Sequence, residues 1–308
     1  MKKSFEPLTT PILFIVFNRP DVTRQVFEAI RQVQPLQLFV AADGPRPHKP
    51  EDAAQCQAVR DITTQVDCDC DVQTLFREEN LGCKRAVSGA IDWFFEQVAE
   101  GIILEDDCLP NQSFFYYCQE TLARYRKDTR VVHINGNNYN AAEFASTPFS
   151  YHFTYFSQVW GWATWRRAWQ RYDVDMKLFP QFDSASFFQH AVSPASFQVL
   201  RKKWMEVHEG RMDTWDYQWH FINLLEGALT VAPRHNLIAN LGFQEGATHT
   251  LTADPTRENL PTKELSFPLN FPPCLFIDES INAHYRRMMK INKSPFTARI
   301  KRKLRTLV

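Results

Sequence analysis

The stretch GIILEDDCLP at residues 101–110 decides the fold. Its three aliphatic residues, 102–104, are typical of a short buried strand, and the carboxylates Glu105, Asp106 and Asp107 follow directly. Three like charges at the end of a strand cost folding free energy unless a positive group offsets them. Mg²⁺ or Mn²⁺ would suit these hard oxygen ligands. The alternative is a solvated acidic turn before a helix, because Asp and Asn often begin helices.

Strands and helices alternate through the first half of the chain. Apolar residues recur at helical spacing from Val22 to Val33, with Asp21 as the expected N-cap. This alternation is typical of βαβ units, so we predict an α/β fold with a mostly parallel central sheet flanked by helices. The pattern predicts strands at 11–17, 36–42, 72–76, 102–104 and 131–134, and helices at 22–33, 51–64, 83–98 and after the capping residue Asn111.

Polar residues follow four of the predicted strands. Ligands of open parallel sheets bind beyond the carboxyl ends of the strands, and all such ends lie at one edge. We therefore expect these residues to form one ligand site, which favours a metal at the acidic stretch. The four groups are Asn18-Arg19, Asp43-Gly44, Arg77 with Asn80, and Glu105-Asp106-Asp107.

Composition narrows the range of functions. Lys plus Arg and Asp plus Glu are 35 each, so no excess of positive charge favours nucleic acid as a partner. The apolar run at 12–17 is too short for a signal peptide, and no segment has the length of a membrane span. The seven Cys show no paired CxxC spacing, which favours reduced thiols in a cytoplasmic compartment.

The second half of the chain is rich in aromatic residues, which suit a deep core and also stack on sugar rings or bases. Residues 149–172 predict hairpins and loops followed by a helix at 163–172, residues 204–225 predict a largely helical segment, and 229–232 predict a strand. Within these segments we expect Gly161, Trp162 and Trp215 to contact substrate.

Two carboxylates in GRMDTWDYQWHF, Asp213 and Asp216, are candidates for a general base. Being three residues apart, they would share a helix face or a loop edge among aromatic side chains, where the pKa of a carboxyl group rises. The alternative is that either Asp caps a helix. We expect Asp216 to be the base, because Trp215 and Tyr217 flank it, and Asp213 to cap the helix.

The strand-end residues could bind a nucleoside diphosphate. Asp107 could hold a metal that neutralises the pyrophosphate, Asp43 could accept a hydrogen bond from a base N–H, and Arg19 could contact a phosphate or the base. Alternatively, Asp43 could belong to an ordinary turn, and the role of Arg19 could be limited to closing a loop. His249 follows a glycine-containing loop that must return to the sheet edge, so it could complete the metal shell.

The chain resembles glycosyltransferases of the GT-A fold, which is Rossmann-like, including N-acetylglucosaminyltransferase I and bacterial family-2-like enzymes. The motifs that carry the resemblance lie between residues 11 and 250. They are ILFIVFNRPDVTRQ, FVAADGP, REENLGC, ILEDDCLPNQSFFYY and, less sharply, TWDYQW and NLIANLGFQEGATHT.

This resemblance implies roles for individual residues. It makes Asp107 the direct metal ligand, with His249 as a second ligand, and places Glu105 and Asp106 against the donor sugar and ribose. It also makes Asp216 the base of a direct displacement that inverts the anomeric centre. The triplet is EDD rather than the commoner DxD, so the motif does not fix the sugar.

We therefore expect an inverting, Mn²⁺- or Mg²⁺-dependent transferase that moves a hexosyl or N-acetylhexosaminyl group from a UDP-sugar to a hydroxyl of a glycan or glycolipid. Residues 1–140 would form the nucleotide-sugar half of the domain, 141–280 the acceptor half with its many aromatic residues, and 281–308 a basic tail. The alternatives are a non-catalytic carbohydrate-binding protein of the same fold and a sugar nucleotidyltransferase. The latter needs a Gly-rich loop that FNRPDVTR lacks.

The basic tail generates the first testable prediction. From Arg286 onward the chain carries nine Lys or Arg and no acidic residue, which predicts peripheral attachment to the anionic inner face of a membrane. Each cation contributes about 1 kcal/mol near such a surface, so removing the tail should release the protein from anionic vesicles in a sedimentation assay. An intact chain that never sediments with anionic vesicles would show that the tail is solvated or contacts a protein.

Overall fold

The computed structural model describes residues 7–67, 69–139, 147–242 and 260–291, with only the backbone of 288–291. The strands are β1 Ile12–Val16, β2 Gln37–Ala42, β3 Asp71–Phe76, β4 Glu100–Glu105, β5 Cys108–Pro110, β6 Val131–Asn135, β7 Tyr151–Thr154, β8 Trp162–Trp165, β9 Leu229–Pro233 and β10 Ile238–Asn240. The helices are α1 Pro20–Gln32, α2 Pro50–Thr63, α3 Gly82–Gln97, α4 Gln112–Tyr125, α5 Arg166–Trp169, α6 Pro194–His208, α7 Asp216–Leu225 and α8 Glu279–Ile291.

Eight strands form one sheet in the order β3-β2-β1-β4-β8-β6-β9-β7. The pairs β3-β2, β2-β1, β1-β4 and β6-β9 are parallel, whereas β8 and β7 run against their neighbours. The predicted α/β fold with a mostly parallel, helix-flanked central sheet is confirmed. The five strands predicted in the first half are also confirmed; the apolar runs of β1, β2 and β4 reflect burial on both faces, whereas β3 is a partly exposed edge strand.

Alternate residues of each strand pack into two different cores. Phe14 and Leu104 belong to the core on the face that α1 and α4 cover, whereas Leu13 and Ile103 belong to the core on the face of α3 and α7. A third core joins α6, α7 and α8 around the fully buried Trp204. Helices on both faces leave the strand ends as the place where charged side chains reach water.

The segment at 163–172 differs from its prediction. Its first residues form β8, which pairs with β4 through Ala163 opposite Ile102 and with β6 on its other side, and only Arg166–Trp169 is helical. Two strands offering free hydrogen-bonding edges therefore override the local helical preference. The predicted strand at 229–232 is confirmed as β9.

Helix ends were predicted with mixed success. Asn111 is confirmed as the N-cap of α4, its side chain accepting a hydrogen bond from the Phe114 N–H at 3.2 Å. Arg19, not Asp21, is the N-cap of α1, because Pro20 already occupies the first helical turn. The helical region at 204–225 is two helices, since α6 ends at His208 and Gly210 adopts a φ of +71°.

The predicted tail boundary falls inside α8. Ile281 and Tyr285 are buried on this helix, and Arg286 donates a hydrogen bond to the Ala191 carbonyl at 2.7 Å. Residues 281–287 therefore belong to the fold, and truncation for the vesicle assay should follow Ile291. Within the described part of the chain, no helix is long and apolar enough to cross a membrane.

Because two histidines are buried, we predict that the free energy of unfolding depends on pH. Burial lowers the pKa of His133 and that of His152 to about 3, so both are neutral in the folded protein at pH 5. Below pH 6.5 the unfolded chain binds these protons and the folded chain does not, so the free energy of unfolding falls as pH falls. Each histidine should contribute a loss of roughly 2 kcal/mol between pH 6.5 and pH 5.

Urea unfolding from pH 7 to pH 5 measures this effect. His152→Gln should reduce the slope of the unfolding free energy against pH by the contribution of one bound proton. An unchanged slope in the His152 variant would contradict the assignment.

Candidate active site

The carboxyl ends of four neighbouring strands, β3, β2, β1 and β4, open into a cavity of about 360 Å³. This volume lies within the range of small-ligand sites. The loop before α7 also lines it through Asp213, Thr214 and Trp215. Most of the predicted site residues line it, namely Arg19, Asp43, Arg77, Asn80, Glu105, Asp106, Asp107, Trp215 and Asp216. The expected meeting of strand-end residues at one edge is therefore observed.

The acidic turn after β4 is only partly neutralised. Arg19 forms ion pairs with Asp106 and with Asp107, the latter at 3.0 Å. Burial and the adjacent carboxylates of Asp107 and Asp106 raise the pKa of Glu105 to about 8. Burial, opposed by Arg19, raises the pKa of Asp106 to about 6, and its Oδ2 atom is buried without a hydrogen-bond partner. One guanidinium thus faces three carboxyl groups, and the turn retains an unfavourable excess of negative charge.

The chain returns to this acidic turn late in the sequence. β10 pairs with β5 in an antiparallel ladder, and the Leu241 N–H donates a hydrogen bond to the Asp107 carbonyl at 2.7 Å. A Cβ atom at Gly242 would collide with Asp107 Oδ2, so a glycine is needed for this close approach. The predicted ligand His249 follows on the same segment but lies outside the described residues.

Asp43 organises the loop after β3. Its carboxylate accepts hydrogen bonds from Asn80 Nδ2 at 2.9 Å and from the Leu81 N–H at 3.0 Å. Burial raises the pKa of Asp43, and the hydrogen bond from the Leu81 N–H opposes the shift. Arg77 donates a hydrogen bond to the Ala86 carbonyl at 3.2 Å, which ties the same loop to α3. Asp43, Asn80 and Arg77 therefore form one wall of the cavity.

Asp216 is the first residue of α7 and lines the same cavity as the strand-end residues. The Thr214 hydroxyl donates a hydrogen bond to its Oδ1 atom. The preceding Trp215 is buried and stacks on Trp162 with ring centroids 5.6 Å apart. The Tyr172 hydroxyl donates a hydrogen bond to the Trp215 carbonyl at 3.1 Å. Aromatic packing and these donors fix the carboxylate of Asp216 at the cavity wall.

Three predicted contact residues do not line the cavity. Asn18 donates a hydrogen bond to Asp52 Oδ1 at 2.8 Å and so connects the loop after β1 to α2. Trp162 is fully buried and stacks on His133 at 4.9 Å. Gly161 has a φ of +58°, and a Cβ atom there would lie 2.5 Å from the side chain of Ile238. The structure gives these residues supporting positions behind the cavity wall.

The cavity lining also includes residues that the sequence did not indicate, among them Arg46 and Trp160. Arg46 forms a two-pronged ion pair with the buried Asp52, whose pKa falls to about 2 chiefly through that hydrogen bonding. Only the tertiary structure reveals this pairing. Trp160 lines the cavity and packs edge-to-face against Tyr139 at 5.1 Å. Residues two apart in a strand lie on the same face, so the pattern Trp160-Gly161-Trp162 carries no signal for this difference; the positive φ of Gly161 breaks the alternation.

The residues fit a divalent cation only in part. Among the described residues, no group of three or more His, Cys, Asp or Glu side chains is arranged to hold a metal ion. The excess of carboxylates at the acidic turn and the unpartnered oxygen of Asp106 nevertheless suit a hard cation. Such an ion would need further ligands from water, from a bound phosphate or from residues outside the described ranges.

Comparisons with known proteins add little to this geometry. No family model and no curated protein matches the chain. Similar solved structures include 4-diphosphocytidyl-2C-methyl-D-erythritol synthase from Anaerococcus prevotii DSM 20548, at 10% identity over 57% of this chain and 85% of that chain, with a TM-score of 0.33. Mouse xyloside xylosyltransferase 1 in its apo form matches at 10% identity over 71% of this chain and 81% of that chain, also with a TM-score of 0.33. Similarity at this level carries no argument about activity.

Proposed function

We propose that the protein is an inverting, metal-dependent glycosyltransferase of the GT-A type that transfers a hexosyl or N-acetylhexosaminyl group from a UDP-sugar to a hydroxyl of a glycan or glycolipid. One observation carries the proposal: an acidic turn and a separate carboxylate, Asp216, line the same cavity at the carboxyl edge of the sheet, close enough for Asp216 to help raise the pKa of Glu105. A nucleoside diphosphate requires charge neutralisation on one side, and an acceptor hydroxyl requires a base on the other.

The donor half of the cavity is suited to a nucleotide. Asp43 is held by Asn80 and the Leu81 N–H with its carboxylate at the cavity wall, where it can accept a hydrogen bond from a base N–H. Arg19 lies between this wall and the acidic turn, where its guanidinium can contact a phosphate. Glu105 and Asp106 can accept hydrogen bonds from sugar and ribose hydroxyls.

Asp107 is the residue that would hold Mn²⁺ or Mg²⁺, with a second ligand proposed at His249. When bound, the ion would neutralise the diphosphate and so make the nucleotide a better leaving group. Arg19 already contacts Asp107 Oδ2, so it limits the repulsion within the turn before any ligand binds. The Leu241 N–H bond and the close approach of Gly242 hold the backbone of Asp107 in place.

Asp216 is the proposed base. The Thr214 hydroxyl occupies one side of its Oδ1 atom and the buried Trp215 fixes its backbone, so the carboxylate is oriented rather than free to rotate. A base on the face opposite the leaving group takes the proton from the acceptor hydroxyl as that oxygen attacks the anomeric carbon. Direct displacement of this kind inverts the anomeric configuration.

Each of the two alternative functions would require a different set of features in the cavity. A sugar nucleotidyltransferase needs a glycine-rich phosphate loop after the first strand, but the residues between β1 and α1 are Phe17, Asn18 and Arg19. A non-catalytic carbohydrate-binding protein would require neither an acidic turn nor an oriented carboxylate, and this cavity contains both. The membrane contact through the basic tail and a cytoplasmic location belong to the same proposal.

Calorimetric titration with UDP in the presence and absence of Mn²⁺, followed by a panel of nucleotide sugars with UDP release as the readout, tests the proposal. We expect UDP to bind more tightly with Mn²⁺ and one UDP-sugar to release UDP faster than the others. Failure of every nucleotide to bind would overturn the proposed function.

Removal of the metal ligand gives a specific prediction. Asp107→Ala should abolish the enhancement of UDP binding by Mn²⁺ while leaving the thermal unfolding transition intact, because Arg19 still neutralises Asp106. The matched control is Asp67→Ala, which removes an exposed carboxylate paired with Arg31. A calorimetric titration that is the same in Asp107→Ala and the wild type would show that Asp107 binds no metal.

Removal of the base gives another prediction. Asp216→Asn keeps the shape of the side chain but cannot accept a proton, so turnover should fall by at least about a hundredfold. The affinities for UDP and Mn²⁺ should stay the same, because the acidic turn and Asp43 are untouched. Transfer near the wild-type rate in this variant would contradict the inverting mechanism.

A further inference from the structure

Asp213 does not cap the helix that follows it. Its two carboxylate oxygens accept hydrogen bonds from the Cys83 N–H and the Lys84 N–H, each at 2.9 Å, at the N-terminus of α3. These residues are 130 and 129 positions away in the chain. The helix that follows, α7, begins at Asp216 without a side-chain cap. Asp213 therefore joins the loop at 209–215 to the N-terminus of α3, a helix that is distant in the chain.

The contact point on α3 is part of a rigid wall. Gly82 and Cys83 line the cavity, and farther along the same helix Ala90 and Phe94 are completely buried against the sheet. Gly82 has a φ of +75°, and a Cβ atom there would lie 2.6 Å from Asp213 Oδ2. The turn into α3 thus leaves space for this carboxylate, and an alanine at Gly82 would displace it.

The base is three residues from this anchor. Thr214, whose hydroxyl contacts Asp216, follows Asp213 directly, and Gln218 Nε2 donates a hydrogen bond to the Thr214 carbonyl at 2.7 Å. A shift at Asp213 therefore also moves Thr214, whose hydroxyl contacts the base. A displacement of about 1 Å at a reacting group can reduce a rate by as much as a hundredfold.

We propose that Asp213 is a positioning residue that clamps the base-carrying loop to the N-terminus of α3 and so fixes the distance between Asp216 and the donor. The expected effect of the clamp on rate rests on the proposed function. The hydrogen bonds that form the clamp do not. Loss of the clamp should lower kcat and leave the donor KM unchanged, because α3 and the acidic turn stay in place.

The experiment compares Asp213→Ala, Asp213→Asn and Ser193→Ala. Ser193 caps α6 through the Ser196 N–H at 3.2 Å, and no residue of α6 lines the cavity, so its variant loses a helix cap at a distance from the site. Asp213→Ala should lower kcat by about 10- to 100-fold at an unchanged donor KM. Asn keeps only one of the two acceptor oxygens, so Asp213→Asn should restore only part of that activity. A loss of kcat in Asp213→Ala no greater than in Ser193→Ala would overturn the positioning role.

Hydrogen exchange distinguishes failure of the positioning role of Asp213 from failure of the proposed function. In Asp213→Ala, peptides covering 82–84 and 211–216 should both exchange faster, whereas Ser193→Ala should leave both unchanged. Unchanged exchange in both peptides of Asp213→Ala would overturn the clamp whether or not the protein transfers sugar. Faster exchange combined with wild-type turnover would likewise overturn the positioning role.

Discussion

The parallel pairing of β1 with β2 and β4 constrains the rest of the structure. Helices cover both faces of these strands, so β1 is buried along its whole length and has no place for charge. The first charged residue after β1 is Arg19, and the corresponding residues after β4 are Asp106 and Asp107. Because the strands are in parallel register, with Ile15 opposite Glu105, these groups must meet at one edge. The cavity is thus a consequence of the sheet.

The same constraint makes this edge electrostatically unfavourable. Arg19 offsets part of the negative charge, but the raised pKa of Glu105 shows that repulsion and burial still penalise ionisation. The β5-β10 ladder holds the turn against this repulsion, since the Leu241 N–H bonds to the Asp107 carbonyl. A site maintained at a cost to folding is typical of residues kept for ligand binding rather than for stability.

Most of the strand-end side of the cavity could be predicted from the sequence because its signals are local. The apolar runs of β1, β2 and β4 and the polar residues after them need no tertiary information. The second half of the chain depends on distant partners: Ala163 is in a strand only because β4 and β6 offer free edges, and Asp213 caps a helix 130 residues away. Trp162 was predicted to contact substrate, but β8 directs its side chain into the core. Local pattern carries no information about such partners.

The position of β8 also shows how the two halves of the cavity are joined. This strand comes from the second half of the chain, yet it lies between β4 and β6 in the sheet. The wall that carries the acidic turn and the wall that carries Asp216 therefore rest on one continuous hydrogen-bonded sheet. Relative motion of the halves would break pairings such as Ile102 with Ala163, so hinge closure between them is unfavourable. Adjustment to a ligand must instead come from loops above the sheet, where single side-chain contacts such as the Asp213 clamp set the geometry.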